Sequence, residues 1–245
     1  MNNNKVVLVT GGAKRIGKSL SEYFHKKNYD VAIHYNNSSK EAEELSINLN
    51  KLRNNSCKIY QADLTETDSV TNLLKEIKKE NKNLHILINN ASSFYPTPIN
   101  KANLEDWYDL SFTNLISPFI LIKGLKDLLK KNEGCIINIS DAMAKKGIDQ
   151  FSLYSAAKSG LEAITKSFAK ELSPKIRVNA IAPGAMLWPE LKNNEGSLER
   201  ETILKTIPLG RTGEAADIAS AAYFISQSKY MTGQVINIDG GRSLS

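Results

Sequence analysis

A tyrosine, a lysine and an aspartate within one short stretch could carry proton chemistry. Tyr154 and Lys158 lie four residues apart in Tyr154-Ser155-Ala156-Ala157-Lys158, so on a helix their side chains rise from the same face. An ammonium beside a phenol stabilises the phenolate, which is expected to lower the tyrosine pKa from its free value near 10. A phenol tuned in this way passes a proton at neutral pH. Asp141 comes thirteen residues before Tyr154, just after the apolar run Cys135-Ile136-Ile137-Asn138-Ile139. That run reads as a buried strand with Asp141 at its carboxyl end, where ligands bind in open parallel sheets. Taken alone, Tyr-x-x-x-Lys equally suits a surface pair on a helix, and it needs a cofactor site elsewhere in the chain.

The amino-terminal region supplies one. Lys5-Val6-Val7-Leu8-Val9-Thr10 reads as a buried strand and leads into Gly11-Gly12-Ala13-Lys14-Arg15-Ile16-Gly17, followed by a helix with apolar Leu20, Tyr23 and Phe24. A glycine turn between a first strand and a helix amino terminus cradles phosphate, because backbone N–H groups and the helix dipole favour an anion. Lys14 and Arg15 add positive charge there. The second strand, Tyr29–Tyr35, ends in Asn36-Asn37-Ser38-Ser39, with no acid before Glu41 to hold a ribose 2′-hydroxyl. Amide and hydroxyl donors with Lys14, Arg15 and Lys40 suit a 2′-phosphate, so NADPH is expected over NADH. Ser38 and Ser39 also suit helix caps for the 41–52 segment.

The remaining strands follow in order. The third, 57–62, closes with Asp63-Leu64, where the acid can accept from an adenine amino group or cap the next helix. A fourth, 84–88, runs into Asn89-Asn90-Ala91-Ser92-Ser93-Phe94-Tyr95-Pro96-Thr97-Pro98, a proline-stiffened loop whose aromatics can stack on a flat ligand; core packing is the other reading of Phe94. A helical segment from Leu104 to Lys131, interrupted near Ser117-Pro118, carries Asn114. The Tyr154 helix extends to about Leu172. A sixth strand, 176–182, ends in Pro183-Gly184. Residues 185–205 read as a polar, irregular lid in which Trp188 lines the pocket or anchors the lid. A helix at 215–227 and a strand at 234–238 precede Asp239-Gly240-Gly241. With no linker or repeat, residues 1–245 read as one α/β domain.

Composition bounds the partners. Apolar and charged fractions of 41% and 24% are ordinary for a globular chain. No apolar run approaches the roughly 20 residues of a membrane span, and Met1–Lys5 opens directly into the first strand without a secretory leader, so a cytoplasmic protein is expected. Cys57 and Cys135 read as reduced core residues, and His25, His34 and His85 form no metal cluster. The formal charge of +6 is spread beside glutamates, as in Lys75-Glu76-Ile77-Lys78-Lys79-Glu80, which reads as a solvated face and not a nucleic-acid surface.

Together, Thr10-Gly11 through Gly17, Asn89-Asn90-Ala91, Asn114, Tyr154-x-x-x-Lys158, Asn179-x-Ile181-x-Pro183-Gly184 and Asp239-Gly240-Gly241 resemble the short-chain dehydrogenase/reductase family over the whole chain. The resemblance implies a doubly wound, Rossmann-like parallel sheet of seven strands, usually in a homotetramer, and hydride transfer from a nicotinamide. It implies that Lys158 holds the nicotinamide ribose and that Asn114 supports a proton-relay water. By the same resemblance the cofactor meets Gly11, Lys14, Arg15, Ile16 and Gly17, then His34, Tyr35, Asn36 and Ser38, with Asp63, Leu64, Asn90, Ala91, Ser92, Pro183 and Gly184.

Two departures narrow the expectation. Arg15 stands where most members have glycine, and Asp141 where most have serine; both changes occur together in the pteridine reductases. Asn90–Pro98, His34-Tyr35 and the ending Asp239-Gly240-Gly241-Arg242-Ser243-Leu244 resemble that subgroup too. A pterin ring nitrogen must receive a proton as hydride reaches the neighbouring carbon. Asp141 can relay it with Tyr154 if burial raises the Asp141 pKa. Arg15 can donate to the pterin carbonyl or to a cofactor phosphate, Phe94 can sandwich the ring against the nicotinamide, and Ser92 can bond the aminopyrimidine edge. The expected function is NADPH-dependent reduction of dihydropterin or dihydrofolate-type substrates. A 3-oxoacyl carrier-protein reductase is the alternative, and a non-catalytic dinucleotide sensor a more distant one.

Overall fold

The computed structural model describes residues 5–81, 83–186 and 196–244, without the side chains of 196–200. Seven strands, β1 (Val6–Val9), β2 (Asp30–Tyr35), β3 (Cys57–Gln61), β4 (Ile86–Asn89), β5 (Cys135–Ile139), β6 (Arg177–Pro183) and β7 (Val235–Ile238), pair in parallel in the order β3-β2-β1-β4-β5-β6-β7. The chain winds outward from β1 in one direction, then returns to place β4 on its other side. That reversal opens a crevice above the carboxyl ends of β1 and β4, where dinucleotides bind in sheets of this kind.

Because strand side chains alternate, each strand feeds two cores. Val7, Val9, Ile33, Ile88 and Ile137 face one layer with Leu20 and Phe24 of α1 (Arg15–Lys26), Leu45 of α2 (Ser39–Leu52) and Ile218 and Ile225 of α8 (Ala215–Gln227). Leu8, Leu87 and Ile136 face the other with Val70, Leu73 and Ile77 of α3 (Thr67–Glu80) and Leu121 and Leu125 of α5 (Ser117–Lys131). Each such fully buried aliphatic side chain contributes roughly 2 kcal/mol. Two covered faces explain why β5 is an unbroken buried run rather than an alternating one. The result is a Rossmann-like α/β fold in one domain.

The break in the long helical segment falls earlier than expected. After α4 (Leu104–Ser111) the backbone widens into a π-helical turn at Phe112–Ile116, and α5 begins at Ser117 with Pro118 in its first turn. A proline there costs little, since first-turn N–H groups have no helical partner. The distortion lies instead around Asn114, and π turns often mark functional sites. Asn114 is fully buried, and α6 (Ser152–Glu171) crosses the turn where Gly160 meets Leu115.

Part of the segment expected to be irregular is helical: α7 spans Gly196–Lys205. The expected lid residue Trp188 lies outside the described residues. No helix among the described residues is long and apolar enough to cross a membrane, and they contain no histidine, cysteine and carboxylate cluster able to hold a metal.

Candidate active site

The glycine turn is closed by its own backbone. Gly11 has φ +59°, which glycine adopts without strain. A Cβ on Gly17 would stand 2.0 Å from the Gly11 carbonyl oxygen, so only glycine fits. Asn90 Nδ2 donates to the carbonyls of Thr10 and Gly11 at 2.9 and 3.1 Å, while Thr10 Oγ1 accepts from the Asn90 and Ala91 amides at 2.9 and 3.0 Å. These bonds tie β1 to β4 at the switch point. No side chain caps the amino terminus of α1, and no acid lies in its first turn. That terminus therefore fits the pyrophosphate of a dinucleotide. Lys14 and Arg15 are exposed and Ile16 half-buried beside it.

Several residues assigned to the cofactor lie behind this surface. His34 is 1% exposed. Its Nδ1 accepts the Gly11 amide at 3.2 Å and its Nε2 donates to the Ala62 carbonyl at 3.1 Å, while its own carbonyl accepts from Gly12 at 3.0 Å. This pattern fixes the neutral tautomer, and burial pushes its pKa down to about 4. The ring therefore shapes the glycine turn from beneath instead of reaching the cofactor. Tyr35 and Leu64 are likewise buried. Asp63 accepts from the Thr65 amide and hydroxyl at 2.8 and 2.7 Å, bonds that hold its carboxyl below the usual range. It is the anchor of its own turn rather than the cap of the next helix, whose capping position is Glu66, with Asn36 as a further partner. Ser38 occupies the residue before α2 without making a side-chain cap bond. Lys14 pairs with Glu41, the first acid after β2, at 2.7 Å, and both side chains remain well exposed. Pro183 ends β6, and Gly184 lies so near Asp239 that a Cβ would approach its Cα to 2.6 Å.

The proton-bearing residues meet where β5 ends against α6. Tyr154 donates to Asp141 Oδ2 at 3.0 Å, and Asp141 Oδ1 accepts from the Met143 amide at 2.7 Å. Lys158, 2% exposed, donates to the Ile139 carbonyl at 2.8 Å, with its Nζ 5.8 Å from the Tyr154 ring centre. Burial lowers the Lys158 pKa to about 8, with Asp141 pulling the other way. The expectation of a depressed tyrosine pKa is reversed. Burial, then the Asp141 charge, raise the Tyr154 pKa, against a smaller lowering by a bond from Ser92. The phenol keeps its proton because burial disfavours its charged form and because Asp141, not the ammonium, is its hydrogen-bond partner. Asp141 itself is half-buried.

Asn114 serves the loop after β4. Its Oδ1 accepts from Ser92 Oγ at 2.7 Å and its Nδ2 donates to the Ser93 and Leu110 carbonyls at 3.0 and 2.9 Å. Both side-chain groups of Asn114 are thus engaged with protein, tying the loop after β4 to the π-helical turn. This anchoring presents Ser92 and Phe94. Phe94 is 56% exposed, stands edge-on to Tyr154 with centroids 4.7 Å apart, and stacks on Phe151 at 4.5 Å and 12°.

Sequence reasoning passed over Phe151, Ser140, Lys145 and Glu162. Glu162 follows Lys158 by one turn of α6 and Tyr154 by two, so spacing alone could have placed it on the same stripe. Ser140 Oγ donates to Glu162 Oε1 at 2.8 Å, and Lys145 pairs with Oε2 at 2.5 Å, as an ion pair rather than a directed hydrogen bond.

The comparisons agree with this geometry. A family model described as enoyl-(acyl carrier protein) reductase matches residues 11–243. Pteridine reductase 1 of Leishmania tarentolae is 34% identical over 282 aligned positions, covering 98% of this chain and 96% of its own. The 3-oxoacyl-(acyl-carrier-protein) reductase of Haemophilus influenzae is 35% identical over 247 positions, covering 98% and 99%. An uncharacterized oxidoreductase of Bacillus subtilis is 33% identical over 244, covering 97% and 98%. A glycine turn at the switch point, a Tyr154–Lys158 pair at the end of β5 and matches over nearly the full length make this chain an oxidoreductase of the short-chain dehydrogenase/reductase family.

Proposed function

We propose that the protein is an NADPH-dependent pteridine reductase acting on dihydropterin or dihydrofolate-type rings. The observation that carries this reading is the Tyr154–Asp141 hydrogen bond at 3.0 Å beneath the exposed ring of Phe94. A serine hydroxyl suffices to polarise a ketone oxygen. A ring nitrogen has to be protonated, and a phenol–carboxylate pair is the proton source suited to it.

When bound, the nicotinamide cofactor supplies the hydride. Gly11, Gly17 and the amino terminus of α1 hold its pyrophosphate. Lys14 and Arg15, with the amide and hydroxyl side chains after β2, favour a 2′-phosphate. Tyr154 keeps a proton at its hydroxyl oxygen and hands it to the ring nitrogen. Asp141 orients that hydroxyl and passes a proton taken from solvent back to the phenolate oxygen, while buried Lys158 holds the end of β5 and balances the carboxylate. Phe94 covers one face of the ring, and Ser92 offers its hydroxyl to the edge. Exposed Trp107 and Phe119 on α4 and α5 support association of copies, in a homotetramer, and free, buried Cys57 and Cys135 fit the reducing cytoplasm.

A second reading is reduction of 3-oxoacyl thioesters, favoured by the 35% identity to the Haemophilus influenzae relative. NADPH oxidation is followed with dihydrobiopterin, dihydrofolate and acetoacetyl-CoA in parallel, with NADH as the cofactor control. Turnover of a pterin but not the thioester is the expected result. Turnover of the thioester alone selects the second reading, and faster turnover with NADH removes the cofactor assignment.

A further inference from the structure

Four consecutive residues at the end of β5 are fastened to one stripe of α6. Asn138 donates to Thr165 Oγ1 at 2.8 Å, Ile139 accepts from Lys158 at 2.8 Å, Ser140 donates to Glu162 at 2.8 Å, and Asp141 accepts from Tyr154 at 3.0 Å. Tyr154, Lys158 and Glu162 are spaced by one helical turn, so the stripe is built into the helix. Glu162 is the member with no part in the proton chemistry, and it is only 2% exposed. A buried carboxylate is costly unless paired and hydrogen-bonded.

Its two partners say what it does. Ser140 is the residue immediately before Asp141, and Lys145 follows Asp141 by four in the short 3-10 turn Ala144–Lys146. One carboxylate therefore grips both sides of the segment that carries Asp141, from the helix that carries Tyr154. Ser140 is itself 4% exposed, and its hydroxyl also lies 3.5 Å from the Lys158 carbonyl. Removing the carboxylate would leave the buried hydroxyl only the longer bond to the Lys158 carbonyl and release the turn.

We infer that Glu162 is a positioning residue that sets Asp141 against Tyr154 through Ser140 and Lys145. The inference rests on Asp141 and Tyr154 being the proton-delivering pair. It does not depend on which substrate receives the proton.

The test compares Glu162→Ala, Glu162→Gln and Ser140→Ala using whichever substrate the parent reduces, with NADPH affinity measured separately by fluorescence. Glutamine keeps an oxygen for Ser140 and gives up the ion pair to Lys145. The expected result is a kcat lower by tenfold or more in Glu162→Ala, partial recovery in Glu162→Gln, and NADPH affinity within about threefold of the parent in both. Ser140→Ala falls between them. Amide hydrogen exchange in residues 140–147 should quicken in Glu162→Ala, with α1 unchanged, whatever the substrate. An unchanged kcat in Glu162→Ala overturns the inference. So does a loss of kcat accompanied by equal loss of NADPH affinity and faster exchange throughout, which would mark a purely structural carboxylate. Failure of the pterin reading would show instead in the parent enzyme, as turnover of acetoacetyl-CoA alone.

Discussion

The Tyr154 hydroxyl donates to Asp141 Oδ2 at 3.0 Å, from a helix to the end of a neighbouring strand. The bond makes the phenol a retained proton rather than a phenolate, since burial and the carboxylate charge both raise its pKa. Asp141→Asn keeps the side-chain shape and the acceptor for Met143 but offers Tyr154 no charge. Its turnover of a pterin should fall by roughly 10²- to 10⁴-fold, the usual worth of a positioned proton-transfer group. Steady-state kinetics check this, and a variant within threefold of the parent would remove Asp141 from the chemistry.

Lys158 carries a stability cost that shows in its pH dependence. Burial holds its pKa at about 8, below the unfolded value of 10.5. Between these values the unfolded chain binds more protons, so this group's contribution makes stability rise with pH; below pH 8 the full penalty is present, on the order of 3 kcal/mol. Loss of the charge-assisted bond to Ile139 offsets roughly 1.5–3 kcal/mol of what a substitution recovers. Lys158→Met should therefore be inactive yet melt at or slightly above the parent at pH 7, with any gap closing toward pH 10. Calorimetry at the two pH values decides it. A variant that melts lower at pH 7 would mean the Ile139 bond outweighs the buried charge.

What could be read from the chain followed from local spacing. The glycine turn, the strand ending at Asp141 and the Tyr154–Lys158 face each depend on residues close in sequence, and each lies where spacing put it. The misread residues depend on partners brought together by folding. His34 lies near the carboxyl end of an apolar strand, where the resemblance has it facing the cofactor. Its burial is decided by Gly11 and Ala62, which lie 23 and 28 residues away. The sign of the Tyr154 shift depended on how far the phenol is buried and on which neighbour it bonds, neither of which spacing reports. Glu162 stood in plain view on the Lys158 stripe, but an acid on a helix reads as solvated until Ser140 and Lys145 close over it. Polar composition concealed α7, whose 196–205 segment lacks a strong apolar pattern.

His34 couples the glycine turn to acid. With a pKa near 4 in the folded chain against 6.5 unfolded, the unfolded state takes up its proton first as pH falls. Its contribution to stability is thus lost between pH 6.5 and 4. A proton on Nδ1 would also set two donors, Gly11 N–H and the ring, against each other. His34→Ala should weaken NADPH binding about tenfold at pH 7, on the order of 1.4 kcal/mol, without changing which substrate is reduced. Fluorescence titration measures it. Unchanged affinity would mean that the turn holds its shape without the ring.

Arg15 departs from a glycine for a reason the backbone makes testable. It opens α1 with φ 49°, a left-handed conformation costing a non-glycine residue roughly 1–2 kcal/mol. Glycine relieves that strain but adds about 0.5–1 kcal/mol of chain entropy to be lost on folding. Arg15→Gly should therefore match or slightly exceed the parent in thermal stability. Its exposed guanidinium lies at the phosphate end of the crevice, where a planar fork can bond a phosphate or a ring carbonyl. The same variant should lose tenfold or more in kcat/KM for a pterin. Its KM values for NADPH and for the pterin then separate the two roles, because the partner of the guanidinium is the ligand whose KM rises. Undiminished kcat/KM in a stabilised Arg15→Gly would show that the strain serves neither ligand.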